Sequence, residues 1–156
     1  MSFEQRLTEL GLEVPLLPPP AASYVPAVRT GNLIFASGQT PTEAGRLVVV
    51  GKLGSELTVE QGEEAARLAA LNCLAEVRGL LGSLDLVTRI VKLTGYVASA
   101  PGFGEQPTVI NGASRLMEEV FGPAGRHARA ALGVAELPAG APVEIELVVE
   151  VRGDGV

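Results

Sequence analysis

The chain has 156 residues, 47% hydrophobic and 19% charged, with a net charge of −6 at neutral pH, so its length suits one domain able to bury a core without cross-links. A single cysteine, Cys73, and a single histidine, His127, exclude an intrachain disulfide and a Cys/His zinc cluster. The 12 Lys and Arg residues are scattered rather than banded, which makes nucleic acid a poor partner, and the chain shows neither a secretory signal nor a membrane-spanning apolar run, so a cytoplasmic location is expected.

Ser2 and Gln5 have the spacing of a helix capping box, and Phe3, Leu7 and Leu10 share one face before Gly11. A short N-terminal helix is expected, followed over residues 13–22 by an extended linker, because Pro15 and Pro18-Pro19-Pro20 cannot continue a helix. Residues 1–22 are thus read as an N-terminal extension and residues 23–152 as the domain proper. Val25 to Val28 and Leu33 to Ala36 flank Thr30-Gly31-Asn32 as a hairpin, and Arg46 to Val50 reads as a further short strand. Thr58 and Gln61 form a second capping box. The stretch after it predicts the main core helix, with Ala66, Ala70, Cys73, Val77 and Leu80 on one stripe and Gly82 at its end.

Leu86 to Val97 returns to strand, with Val91, Leu93, Gly95 and Val97 expected inward. Pro107 suits the first turn of a second long helix, which ends at Gly122-Pro123, with Ile110, Ala113, Met117 and Val120 inward. Arg129 to Val134 and Val143 to Val151 are the closing strands, expected to be neighbours. The second alternates apolar odd positions with Glu144, Glu146 and Glu150. The order predicts an α+β fold, a mixed sheet with two helices packed on one face. Its other face then needs cover, which together with the high apolar content predicts an oligomer with its site between subunits.

The candidates for chemistry are Arg129, whose planar fork can grip a carboxylate at two points, and Glu144, a carboxylate able to orient or deprotonate a water. Blander roles, an intersubunit ion pair for Arg129 and a solvated glutamate row for Glu144, remain open from the residues alone. His127 is read as a packing or surface residue and Cys73 as a core thiol. No Gly-x-Ser-x-Gly elbow supports serine nucleophile chemistry, and Gly51-Lys52-Leu53-Gly54 is too short for a phosphate loop.

Three blocks carry a resemblance: Gly31-Asn32-Leu33-Ile34-Phe35-Ala36-Ser37-Gly38-Gln39-Thr40-Pro41, the helix holding Asn111, and Ala128-Arg129 through Leu137-Pro138 to Val143-Glu144-Ile145-Glu146. They resemble the YjgF/Rid (reactive intermediate deaminase) family, also known as endoribonuclease L-PSP. The resemblance implies a chorismate-mutase-like homotrimer that needs no cofactor or metal and hydrolyses small 2-imino or enamine acids to 2-keto acids and ammonia. It also implies that Arg129 holds the substrate carboxylate and Glu144 positions the attacking water, while Tyr24, Ser37, Gly38, Asn111 and Ala131 line the pocket. Typical deaminase members have cysteine where Ala131 stands and Gly-Pro-Tyr where this chain has Ala22-Ser23-Tyr24. The alternative is a noncatalytic protein that binds a small carboxylate metabolite, with ribonuclease activity a more distant third.

Overall fold

The computed structural model describes residues 1–20 and 22–153; Ala21, within the expected linker, and residues 154–156 lie outside the described residues. Helix α1 spans Phe3–Glu9 and is followed by strands β1 (Ala27–Thr30) and β2 (Leu33–Ala36) and the two-residue strands β3 (Thr42–Glu43) and β4 (Arg46–Leu47). Then come α2 (Val59–Leu81), β5 (Val87–Ala98), α3 (Gln106–Phe121), β6 (Ala128–Val134) and β7 (Val143–Val151). Both expected capping boxes form: the Ser2 and Thr58 hydroxyls accept from the Gln5 and Gln61 amides, and each glutamine side chain accepts in return from the cap amide. At the far end of α2, Gly82 takes the left-handed conformation that closes the helix.

The main sheet is mixed and runs β1-β2-β7-β5-β6, with β5 and β6 its one parallel pair. The last strand in sequence is therefore central, and it separates β2 from β5. Its odd residues, Val143, Ile145, Leu147, Val149 and Val151, are buried in the same core as Ala66, Cys73 and Val77 of α2 and Ile110 and Met117 of α3. Where α2 and α3 cross, Gly112 lies so close to the Glu63 carbonyl that a methyl group there would overlap it. Helix α1 joins the same core through Leu7 and through the edge-on contact of Phe3 with Phe121, 4.8 Å between ring centroids.

Several expectations need correction. Arg46 to Val50 is not one strand: only Arg46–Leu47 pairs, with Thr42–Glu43, in a separate two-stranded sheet. Val48 and Val50 leave it half-exposed. A valine run fits a strand when a half-buried surface receives it, and no sheet edge does so here. In β5 the buried face is Val87, Ile90, Leu93, Gly95 and Val97 rather than one including Val91, because register shifts at Val87/Arg89 and Ile90/Lys92 move the alternation by one residue. Leu80, placed on the core stripe of α2 by its spacing, is exposed near the helix end.

Candidate functional site

The open face of the sheet is polar at one end. Tyr96 of β5 pairs with Glu144 of β7, and Thr94 with Glu146. The Tyr96 hydroxyl donates to Glu146 Oε1 at 2.8 Å, and that bond raises the tyrosine's pKa. The Glu144 carboxyl is pushed above the usual carboxylate range, first by burial and then by the charge of Glu146. Against it lies Gly38: a methyl group on this glycine would sit 3.0 Å from Glu144 Cδ and Oε1. A side chain at this position would press the carboxyl aside by a few tenths of an ångström. Ser37 is anchored beside it, its amide donating to Pro26 O at 2.8 Å and its hydroxyl to Val25 O at 2.7 Å. This holds the exposed Tyr24 segment near the same end. Ser37, Gly38 and Glu144 thus form one group.

Arg129 belongs to another. It pairs with Leu93 and so projects from the helix-covered side of the sheet, at its β6 edge. Its Nη1 donates to Asn111 Oδ1 at 2.7 Å and to Ser114 Oγ at 3.3 Å, both on α3. Ser114 is in turn 2.9 Å from His127 Nε2, and His127 Nδ1 donates to Gly125 O at 2.6 Å. With Nδ1 carrying the proton, Nε2 accepts from the serine hydroxyl, whose lone pairs then face the guanidinium. Among the described residues Nε and Nη2 of Arg129 meet no partner, so two donors remain to a ligand. Ala131 pairs with Gly95 on the same side, partly buried against the core.

The two groups do not meet within one chain, which corrects the reading of β6 and β7 as neighbours. Strand β5 lies between them, and Arg129 pairs with its Leu93 but Glu144 with its Tyr96, so the two stand roughly 10 Å apart across the sheet, roughly 10 Å apart along it, and on opposite faces. Ser114, His127, Tyr96 and Glu146 were not assigned to the site from sequence. The alternation of β5 put Tyr96 on the polar face, but its partner depended on strand order. Among the described residues no three His, Cys, Asp or Glu side chains gather as metal ligands, and no helix is long and apolar enough to cross a membrane.

A five-stranded sheet backed by two long helices, with a carboxylate on its open face and a buttressed arginine at its edge, defines an α+β protein. The family model described as "YjgF/chorismate_mutase-like, putative endoribonuclease" matches residues 4–151. Protein TCP17 of Trypanosoma cruzi is 46% identical over 147 residues, 94% of this chain and 92% of that protein. A 2-iminobutanoate/2-iminopropanoate deaminase of Dermatophagoides farinae is 28% identical over 141 residues, 90% and 95% of the two chains. The crystal structure of an Agrobacterium tumefaciens protein of unknown function is 48% identical, covers 96% of this chain and 92% of its own, and superposes with a TM-score of 0.89. The chain belongs to the YjgF/chorismate-mutase-like family, as its sequence blocks indicated.

Proposed function

We propose that the protein hydrolyses small 2-imino or enamine acids to 2-keto acids and ammonia, in clefts between the copies of a homotrimer. The observation that carries this reading is the separation of Arg129 from Glu144. Each is prepared for a ligand, yet they face opposite sides of one sheet, so a single pocket can use both only when the Arg129 edge of one copy meets the open face of another. That face is suited to cover: Val28 (52% exposed) and Phe35 (46%) lie on it at one end and Leu132 (48%) at the other.

In such a cleft the free Nε and Nη2 of Arg129 grip the substrate carboxylate, and Asn111 and Ser114 hold the guanidinium in place. Glu144 orients a water toward the imine carbon and takes its proton. The nitrogen is protonated as the tetrahedral carbinolamine forms and then leaves as ammonia. A carboxyl whose pKa is raised by burial is the stronger base for that transfer. The deaminase named among the relatives supports the reaction type.

The test is ammonia release from imines generated in situ by an amino acid oxidase, with binding of an unreactive 2-keto acid measured alongside. Glu144→Gln should lower turnover about 10²-fold while the keto acid still binds. Arg129→Lys should weaken binding and turnover together, since a point charge cannot grip a carboxylate at two points. Keto-acid binding without turnover of any imine by the parent protein would instead mark a noncatalytic carboxylate binder.

A further inference from the structure

Arg129 is held by neutral groups. Among the described residues no carboxylate pairs with it, and its partners are Asn111 Oδ1 and Ser114 Oγ. Arg67, Arg78 and Arg115, by contrast, each meet a glutamate. A carboxylate partner would offset the guanidinium charge and compete with an anionic ligand. An amide oxygen and a hydroxyl orient the group and leave its charge whole.

A hydroxyl is an ambiguous support, because it can turn either its lone pairs or its proton toward a neighbour, and the proton repels a guanidinium. What settles Ser114 is His127. The Gly125 carbonyl can only accept, so its 2.6 Å contact puts a proton on His127 Nδ1 and leaves Nε2 of the neutral ring bare. Nε2, 2.9 Å from Ser114 Oγ, then accepts from the hydroxyl. Every bond runs one way: Arg129 donates to Ser114, Ser114 to His127 and His127 to Gly125. Bonds in such a chain polarise and strengthen one another. The far end of the chain is fixed as well. A methyl group on Gly125 would overlap the Met117 carbonyl, so this turn is seated directly on the end of α3. Asn111 and Ser114 stand on the same helix, which therefore supports both ends of the chain.

We propose that His127 is a positioning residue: through Ser114 it holds the Arg129 guanidinium turned so that Nε and Nη2 stay free for an anion. The inference builds on the reading above in which that anion is the substrate carboxylate. Without the imidazole, the serine hydroxyl is free to rotate and Arg129 is steadied by Asn111 alone. A guanidinium with one firm contact loses more freedom on binding, and the affinity falls accordingly.

His127 is the chain's single histidine, so nitrogen NMR of the full-length protein reads its ring without ambiguity. At about pH 8 the proton should lie on Nδ1, with Nε2 bare and accepting, and Ser114→Ala should move the Nε2 signal alone. The Arg129 guanidinium is identified in the same spectra by its loss in Arg129→Lys. Rotation about its Nε–Cζ bond should quicken about fivefold in His127→Leu, as expected for the loss of one ordinary hydrogen bond. An unreactive 2-keto acid should bind about fivefold more weakly to His127→Leu and to Ser114→Ala, and no more weakly to the double variant. His127→Gln, whose amide oxygen can stand in for Nε2, should bind it near the parent level. That rescue and the non-additive pair separate positioning from a general loss of packing. Should His127→Leu not fold, Ser114→Ala carries the rotation and binding measurements. The proposal is overturned if Nε2 carries the proton, if the guanidinium rotates equally fast in the parent and the variants, or if the two single losses add. A parent protein that binds no keto acid, with both NMR results as expected, would instead sink the carboxylate role of Arg129 and leave the hold of His127 on it in place.

Discussion

At the residue scale, the polar groups of this protein are governed by what covers them. Glu144 and Glu76 are both glutamates whose pKa is raised by burial, yet they stand in different surroundings. Glu144 stands on a half-open sheet face against Gly38, where water can reach it. Glu76 is enclosed beside Gln39 and Cys73, whose thiol is pushed well up by burial and by Glu76 and which donates to Ile145 O at 3.0 Å. The Glu76 shift has a consequence for stability. Below about pH 4.5 the carboxyl is protonated in both folded and unfolded chains; between there and about pH 8 the unfolded chain loses the proton and the folded one keeps it. The folded state then binds more protons, so stability falls as pH rises through this window, by on the order of 5 kcal/mol at most. Glu76→Gln removes the titration. Its stability relative to the parent protein should therefore increase from pH 4.5 to 8 and level off above, measured by urea unfolding across that range. A constant difference over the window would show that Glu76 ionises in the folded protein as it does in the unfolded chain.

At the element scale, the close crossing of α2 and α3 sets the position of Arg129, because Asn111 and Ser114, which hold the guanidinium, stand on the α3 turns beside Gly112. Two ion pairs bind the same helices, Arg67 with Glu119 at 2.7 Å and Arg115 with Glu63 at 2.8 Å, but partly exposed pairs of this kind contribute little. The contact at Gly112 matters more. Gly112→Ala should force the helices apart and cost about 1–3 kcal/mol despite the better helix propensity of alanine, as read by thermal or urea unfolding. A stabilised Gly112→Ala protein would show that the two helices can separate freely. Helix α1 is fastened in a comparable way: Arg6 Nε donates to Glu119 O at 2.9 Å, and Glu4 Oε1 accepts from the Leu84 amide at 2.9 Å. This fastening also sets where the proline-rich segment begins its path over α2.

At the scale of the whole molecule, one chain leaves an apolar, partly acidic sheet face open and a prepared arginine at its rim. In the proposed trimer a ring of three copies would cover the first with the second, through head-to-tail interfaces of the kind a threefold axis closes. Light scattering at micromolar concentration should give a mass near 48 kDa, three chains of 16.1 kDa. A particle of one chain would leave Arg129 and Glu144 on opposite faces and remove the proposed cleft. Phe35→Asp, on the open face, should shift the particle toward single chains and reduce imine turnover in step, since the cleft depends on assembly.

The sequence by itself determined what depends on near neighbours. The capping boxes at Ser2 and Thr58, the hairpin around Gly31-Asn32, the inward odd face of β7 and the chemical promise of Arg129 and Glu144 follow from residue type and spacing over a few positions. The tertiary structure alone decided what depends on distant pairing. Inserting β7 between β2 and β5 put β5 between the two candidate residues and sent them to opposite faces, and the shifts in β5 exchanged Ile90 for Val91 in the core. The raised pKa of Glu76 likewise comes from the cover of the fold, which outweighs the opposing effect of the hydrogen bond from Gln39, 37 positions away. No local pattern encodes these, because register, strand order and burial are settled by the free energy of the whole packed chain rather than by any segment of it.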